Sequence, residues 1–437
     1  MYANVKEFGA IGNGVAVDTR AIQRAIDAGG IVYFPPGTYR TGTIYLRSRG
    51  GILLDAGAVI QANPDLADYN ADDFCPQNRV LREELVSGRH LIVAVEQQEI
   101  SIAGEGRIDG NFPAWMNEPD PESDVTPPYF TRHPERPGQM IYLCECTDVR
   151  IRDVELTNAS YWHCFLHGCE RVTISGVRIY GSPRVINNDG IDLDCCRHVT
   201  VSDCIILTAD DSLTLRADFE PLKKPRVCEY ITVSNCVFSS GFANAIRVGV
   251  GNGEIRRCSF RNISISDSRT GICVVSRYWE RDRGVTVSEL DFNGLQLYAR
   301  RPFCIKLDNR GNLNPPCARR IGDLSFSDIS GTAEFSSYLT GTSAGKREGI
   351  VFRDVRLRYG GKGPAPDRDE HGHWGCSSTA AAFELEHASG IEFRNVAIDW
   401  EPDASGWRND VLAAGCGRLE IADCRFRKGV EEKPLLT

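Results

Sequence analysis

"VSDCII", residues 201–206, is one copy of a short pattern that recurs along most of the chain. The pattern is an apolar residue, any residue, Asp, Asn or Gly, then Val, Ile, Leu or Cys, any residue, and usually another apolar one. Towards the N-terminus it reads "ISGVRI" at 174 and "IRDVEL" at 151. Towards the C-terminus it reads "VSNCVF" at 233, "FRNISI" at 260, "FNGLQL" at 292, "FSDISG" at 326, "FRDVRL" at 352, "FRNVAI" at 393 and "IADCRF" at 421. Ten copies at intervals of 23 to 41 residues mark an internal repeat, and a repeat outranks any local propensity. Each copy has two short stretches of period-2 alternation around a turn residue, and one such unit cannot bury its own apolar face. Stacked units can.

The pattern therefore predicts an all-β, single-domain solenoid over 1–437, with inward ladders of Val, Ile, Phe and Cys and with Asn, Asp or Gly at the turns. Cys204, Cys236, Cys258 and Cys424 fall at equivalent or near-equivalent positions and read as small core residues. Helical repeats would need a 3.6-residue period, which the alternation and β-branched content contradict. Before the repeats, "DTRAIQRAIDAGG" from Asp18 has an N-cap candidate, helical apolar spacing and terminal glycines. One short helix there would cap the open end of the solenoid, whose strand edges would otherwise recruit other chains. Residues 1–60 are then the cap and first coils. Three segments break the rhythm, 63–98, the Pro-rich 111–137 and 359–378, and loops of this length on a solenoid would wall a groove.

A hydrophobic content of 42% with 25% charged residues fits a soluble globular chain. No run approaches the roughly 18 apolar residues of a membrane span, so no membrane partner is expected. The net charge of −9 argues against a nucleic-acid partner, because such a surface repels a polyphosphate backbone. The opening "MYANVKEFGAIGNG" has neither a basic nor an apolar signal region, and the 17 cysteines lie mostly in alternating apolar runs. Reduced thiols and a cytoplasmic location are expected.

Against this apolar background, acids collect in two adjacent repeats. "INNDGIDLDCC" (186–196) holds Asp189, Asp192 and Asp194, and "LTADDSLTLR" (207–216) holds Asp210 and Asp211. Asp192 and Asp194 read as turn residues on a solvated face. Asp189 precedes "GIDL" and Asp210–Asp211 precede "SLTL", so both groups open equivalent strands in successive coils. Coils about 4.8 Å apart bring the three carboxyls onto one patch. Three carboxylates that close cannot all ionise comfortably, and a protonated carboxyl beside ionised ones is what acid and base catalysis at a glycosidic bond requires.

The Asn-x-Asp-Gly-Ile-Asp segment, the Asp-Asp pair one coil later, the "FGAIGNG" and "FPPGTY" entry and "GEGRIDG" at 104–110 together resemble the polygalacturonase family of pectin hydrolases, glycoside hydrolase family 28. The similarity runs over nearly the whole chain. It implies a right-handed parallel β-helix that hydrolyses glycosidic bonds with inversion, with Asp210 as general acid and with Asp189 and Asp211 holding the attacking water. Asn188 belongs to the same motif and is expected at the substrate. The chain departs from the family in two places. The family's Gly-His-Gly coil is "SGFANAIRVG" (240–249) here, which puts Asn244 or a neighbour at the histidine position. The Arg-Ile-Lys that grips uronate carboxylates appears as Cys273, Val274 and Val275. Alternation offers replacements: with Leu213, Leu215, Ile246 and Val248 inward, Thr214, Arg216 and Arg247 face the groove. Two arginines suit a carboxylate bidentately. Arg277 is a further candidate.

"YWHCFLHGC" (161–169) supplies Trp162, His163 and His167 one coil before the acids, and either histidine could reach the groove. His167 is taken as a binding residue. "HGHWGC" has metal-like residue types in His371, His373 and Cys376, but no fourth ligand follows at zinc-site spacing. No metal and no cofactor are expected. The glycines at 12–14 and 249–253 open no helix after a strand in a βαβ unit, so they carry no nucleotide fingerprint. The expected function is an inverting, exo-acting glycoside hydrolase on a pectic, rhamnogalacturonan-type or other acidic oligosaccharide, which would be its partner. A lyase or epimerase on the same scaffold and a non-catalytic glycan-binding β-helix are the alternatives.

Overall fold

The computed structural model describes residues 2–123, 127–278, 283–308, 315–361 and 380–433. Within them the chain divides into two compact units, 1–213 with 219–226 and 214–218 with 227–437. Both are runs of parallel coils, and the fold class is the expected all-β right-handed parallel β-helix.

In the first unit, the leading residue of each repeat stacks in register on the one before. Ile52, Ile102, Ile151, Ile174 and Val201 form one interior ladder, and each is fully buried. In the second unit the same repeat position gives Val233, Phe260, Phe292, Phe326, Phe352, Phe393 and Ile421. Its phenyl rings lie face to face, with successive centroids 4.6, 4.9, 4.9 and 5.2 Å apart. Coil spacing sets that distance, so the column forms wherever one repeat position keeps Phe.

The third repeat position explains its own composition. Asp153, Gly176, Asp203, Asn235, Asn262, Gly294, Asp328, Asp354, Asn395 and Asp423 all have φ between 51° and 69°. This left-handed region costs an ordinary L-residue roughly 1–2 kcal/mol, and Gly, Asn and Asp enter it most readily. Cys204, Cys236 and Cys258 are buried in the ladders as expected, while Cys424 is half-buried. The 16 cysteines among the described residues are free thiols.

The capping helix is Thr19–Asp27, with Ala21, Ile22, Ala25 and Ile26 buried against the first coil. Asp18 does not cap it through its side chain. Its carboxylate instead accepts the backbone N–H groups of Ile11 and Gly12, which closes the preceding turn. No described helix is long and apolar enough to cross a membrane. The first insertion is shorter than expected, because strand Ile92–Val95 already pairs in register with Ile141–Cys144. Of the third insertion only 359–361 are described, so His371, His373 and Cys376 lie outside the described residues.

Candidate active site

In the first unit, three successive strands, Ile141–Cys144, Cys164–His167 and Ile191–Asp194, turn Ile, Leu and Cys inward and a second set of side chains outward. Asp189 lies just before the last of them. The N–H groups of Gly190 and Ile191 bond to the carbonyls of Asp211 and Ser212, at 2.9 and 3.0 Å, so Asp189 and the Asp210–Asp211 pair stand side by side on adjacent coils. Gly190 has to be glycine: a Cβ there would sit 2.3 Å from the Ser212 carbonyl oxygen. One oxygen from each of Asp189, Asp210 and Asp211 lies within 4.8 Å of the others. Asp189 and Asp211 are buried, and Asp210 is half-buried. This is the carboxyl cluster expected from the sequence.

Backbone contacts hold the cluster from behind. The Asn188 side-chain oxygen accepts from the N–H groups of Ala209 and Asp210, and its amide donates to the Ser182 carbonyl at 2.7 Å. Asn188 is fully buried, so it serves the acid loop and not, as expected, the substrate. His163 is also spent internally: its Nδ1–H donates to the Asp189 carbonyl at 2.9 Å, and burial pushes its pKa down to about 4, leaving it neutral. Tyr161 donates its hydroxyl to the Glu84 carboxylate. Burial, Glu84 and Asp189 together hold that phenol well above its usual range.

His167 takes the outward position in register with Asp194, and its imidazole lies within 4.8 Å of the Asp194 carboxylate and the Cys195 thiol. Asp192 and Asp194 depart from expectation. They are strand residues, outward by parity, and both are buried rather than solvated. The outward face of the coils before the acids is also filled. Val93, Tyr142 and Phe165 share one register row and are all buried. The insertion covers that row, with His90 stacked on Tyr142 at 4.5 Å and Phe74 edge-on to Tyr142 at 6.0 Å.

In the second unit, Leu215, Ile246 and Val248 are inward and fully buried, as the alternation requires. Thr214 and Asn244 are buried too, and Arg216 is half-buried. Asn244 pairs in register with Thr270, and Arg247 with Cys273. The Arg247 guanidinium lies over the Tyr278 ring, 4.5 Å from its centroid. Arg277 is placed differently from expectation. Its Nε bonds to Asp308 at 2.6 Å and its terminal nitrogen to the Pro315 carbonyl at 2.8 Å, which makes it a scaffold ion pair.

One group of residues went unread in the sequence. On the coil after Cys273, Val274 and Val275, Cys304 pairs with Cys273 and Lys306 with Val275. Arg301 and Lys306 both approach the Tyr338 ring, at 4.6 and 5.3 Å. The Cys304 thiol is pulled down to about 6 by its hydrogen bond with Cys273 and by the charges of Lys306, Arg301 and Arg247. A cationic side chain is therefore present in register with the missing clamp, one coil later. The alternation in "FCIKLD" (303–308) carries the signal, since Phe303 packs inward and Cys304 and Lys306 take the opposite parity.

Residues 79–371 match the family model described as Glycosyl hydrolases family 28, and residues 2–62 match that of Rhamnogalacturonase A/epimerase, pectate lyase-like. Among curated relatives, a probable polygalacturonase of Vitis vinifera is 26% identical over 230 residues, 50% of this chain and 45% of that protein. An exo-poly-alpha-D-galacturonosidase of Dickeya chrysanthemi is 26% identical over 258 residues, 49% of this chain and 42% of that protein. The chain thus spans less than half the length of each. Among solved structures, a hyperthermoactive exopolygalacturonase from Thermotoga maritima superposes with a TM-score of 0.73 at 19% identity, covering 91% of this chain and 92% of that one. At that identity the likeness is one of fold.

Proposed function

The chain belongs to glycosyl hydrolase family 28, and from that premise we propose that it is an inverting, exo-acting glycoside hydrolase of acidic, pectic-type oligosaccharides. The carboxyl cluster of Asp189, Asp210 and Asp211 carries this reading. Asp210, the most exposed of the three, is the general acid that protonates the leaving oxygen. Asp189 and Asp211 hold and activate the water. Carboxyl groups in two-acid inverting enzymes stand roughly 6.5–9.5 Å apart and in retaining ones roughly 5–5.5 Å. The spacing here lies nearer the retaining range. Inversion is therefore argued from the family and from the third acid, which lets two carboxylates share one water without either becoming a nucleophile.

Two further observations support the finer parts of the reading. The row of Val93, Tyr142 and Phe165 on the coils before the acids is buried, with Phe74 and His90 packed on Tyr142, which favours attack at a chain end. Arg247, Arg301 and Lys306 supply cations of the kind that recognise a uronate carboxylate. The match over residues 2–62 and the same cations keep a lyase or epimerase as the second reading, since proton abstraction beside a carboxylate needs such groups.

The deciding experiment incubates the protein with defined pectic and other acidic oligosaccharides and reads products by mass and by proton NMR. Addition of water with an inverted anomeric centre in the first product is expected. Retention would reject inversion, an unsaturated ultraviolet-absorbing product would make the protein a lyase, and unchanged mass with altered stereochemistry would make it an epimerase.

A further inference from the structure

Arg136 lies in the Pro-rich insertion, within "RHPERPG", and is fully buried in the first unit. Its guanidinium has five N–H donors, and each meets an oxygen. Nε donates to Leu85 O at 3.0 Å. One terminal nitrogen donates to Ser160 O and Ile186 O at 2.7 and 2.9 Å, and the other to Glu84 O and Asn187 Oδ1 at 3.0 and 2.9 Å. These acceptors come from the first insertion, the coil turn before Cys164 and the loop that ends in Asp189. The Arg136 carbonyl is taken as well, by the N–H and hydroxyl of Ser87.

Resting on the reading of Asp189 as a catalytic carboxylate, we propose that Arg136 is the positioning residue that sets the Asp189 loop. With all five donors occupied it has none left for substrate, so it acts only through the loop. Asn187 is the point of action: it has φ 63° and stands two residues before Asp189. Arg136 holds that left-handed bend through Asn187 Oδ1 and the preceding carbonyl, Ile186 O. All five acceptors are neutral oxygens, so the buried charge is not cancelled at hydrogen-bond distance. The side chain also packs on the Tyr161 ring at 5.1 Å. A shift of about 1 Å in a reacting group can cost about a hundredfold in rate, which makes the bend that this guanidinium braces, two residues before Asp189, a sensitive element.

The test uses the full chain with Arg136→Lys, which keeps the charge and loses the fork, and Asn187→Gly, which keeps the bend and loses one acceptor. Kinetics on the substrate cleaved by wild type and amide exchange over 182–190 are measured for both. Arg136→Lys is expected to lower kcat about tenfold or more with KM nearly unchanged. Exchange should rise in 182–190 and not in the ladder strands Ile141–Cys144 and Arg197–Ser202. Asn187→Gly should show the same pattern, more weakly. Normal kcat in both variants, a rise in KM alone, or exchange raised throughout the unit would overturn the proposal. Should wild type cleave no glycan, the hydrolase reading fails. The exchange experiment then still decides whether Arg136 sets the loop.

Discussion

The side chain of Asn188 holds the backbone of Asp210 in the neighbouring coil: its oxygen accepts the Ala209 and Asp210 N–H groups at 2.9 and 3.1 Å. The residue before one acid thus fixes the position of another. Asn188→Ala would leave the buried Ala209 N–H unpaired, at about 1–3 kcal/mol, and would also release the part-buried Asp210 N–H. Denaturant unfolding is expected to show a loss of at least about 1 kcal/mol, together with a fall in turnover. A variant as stable and active as wild type would remove Asn188 from the site's framework.

Asp210→Asn is expected to abolish turnover while preserving the fold, because an amide keeps the shape but delivers no proton. Circular dichroism and thermal melting check the fold, and product release checks the chemistry. Retention of more than about a tenth of wild-type activity, a barrier change under about 1.4 kcal/mol, would reject the acid assignment.

Arg247→Ala and Lys306→Met should each depress kcat/KM on acidic oligosaccharides by about ten- to a hundredfold, the size of a lost charge-assisted contact of roughly 1.5–3 kcal/mol. Carboxyl-reduced analogues should be nearly unaffected. Equal losses on both substrates would assign the cations to the scaffold, and the acidic substrate would lose its support.

His90 and His163 are both held near 4 by burial, and His90 sits between the Gln139 carbonyl and Asn78 Oδ1. A base whose pKa is depressed in the folded state stabilises that state above its unfolded value of about 6.5 and loses the contribution as pH falls towards 4. Each histidine should therefore withdraw about 2 kcal/mol between pH 7 and pH 5. Urea unfolding over that window should flatten in His90→Gln or His163→Gln. Parallel pH slopes in wild type and variants would show that these histidines titrate alike folded and unfolded.

Activity is expected to survive exhaustive chelation and reducing agent, because the carboxylates are too few for a calcium cage of six to eight oxygens and the described cysteines are free thiols. Loss on chelation that calcium restores would put the lyase reading first.

The ladders and turns were legible because a repeat imposes one physical requirement ten times over, as the shared φ range of Asp153 and its nine counterparts shows. Asp189, Asp210 and Asp211 were legible because they precede equivalent strands in successive coils, and coil spacing brings such positions together. Burial of Asp192 and Asp194 was not, since parity gives the face a residue takes but not whether that face is covered. Arg136 was illegible for a related reason: it lies in a Pro-rich loop without period, and its five acceptors come from segments up to 52 residues away. Arg277 was only a further candidate in the sequence, and its partner Asp308 lies one coil on, at a distance the local pattern does not encode.

The left-handed turns also divide labour along the chain. Each one resets the phase of its coil, so the next inward position is counted from the turn and not from whatever came before it. Differences in coil length, from 23 to 41 residues, therefore fall on the stretches between turns and leave the ladders undisturbed. Such a chain can gain or lose a loop on its outer face and still stack the same column of side chains. The segment carrying Arg136 and the one carrying His90 could thus be added around the acids without altering the coils that present them.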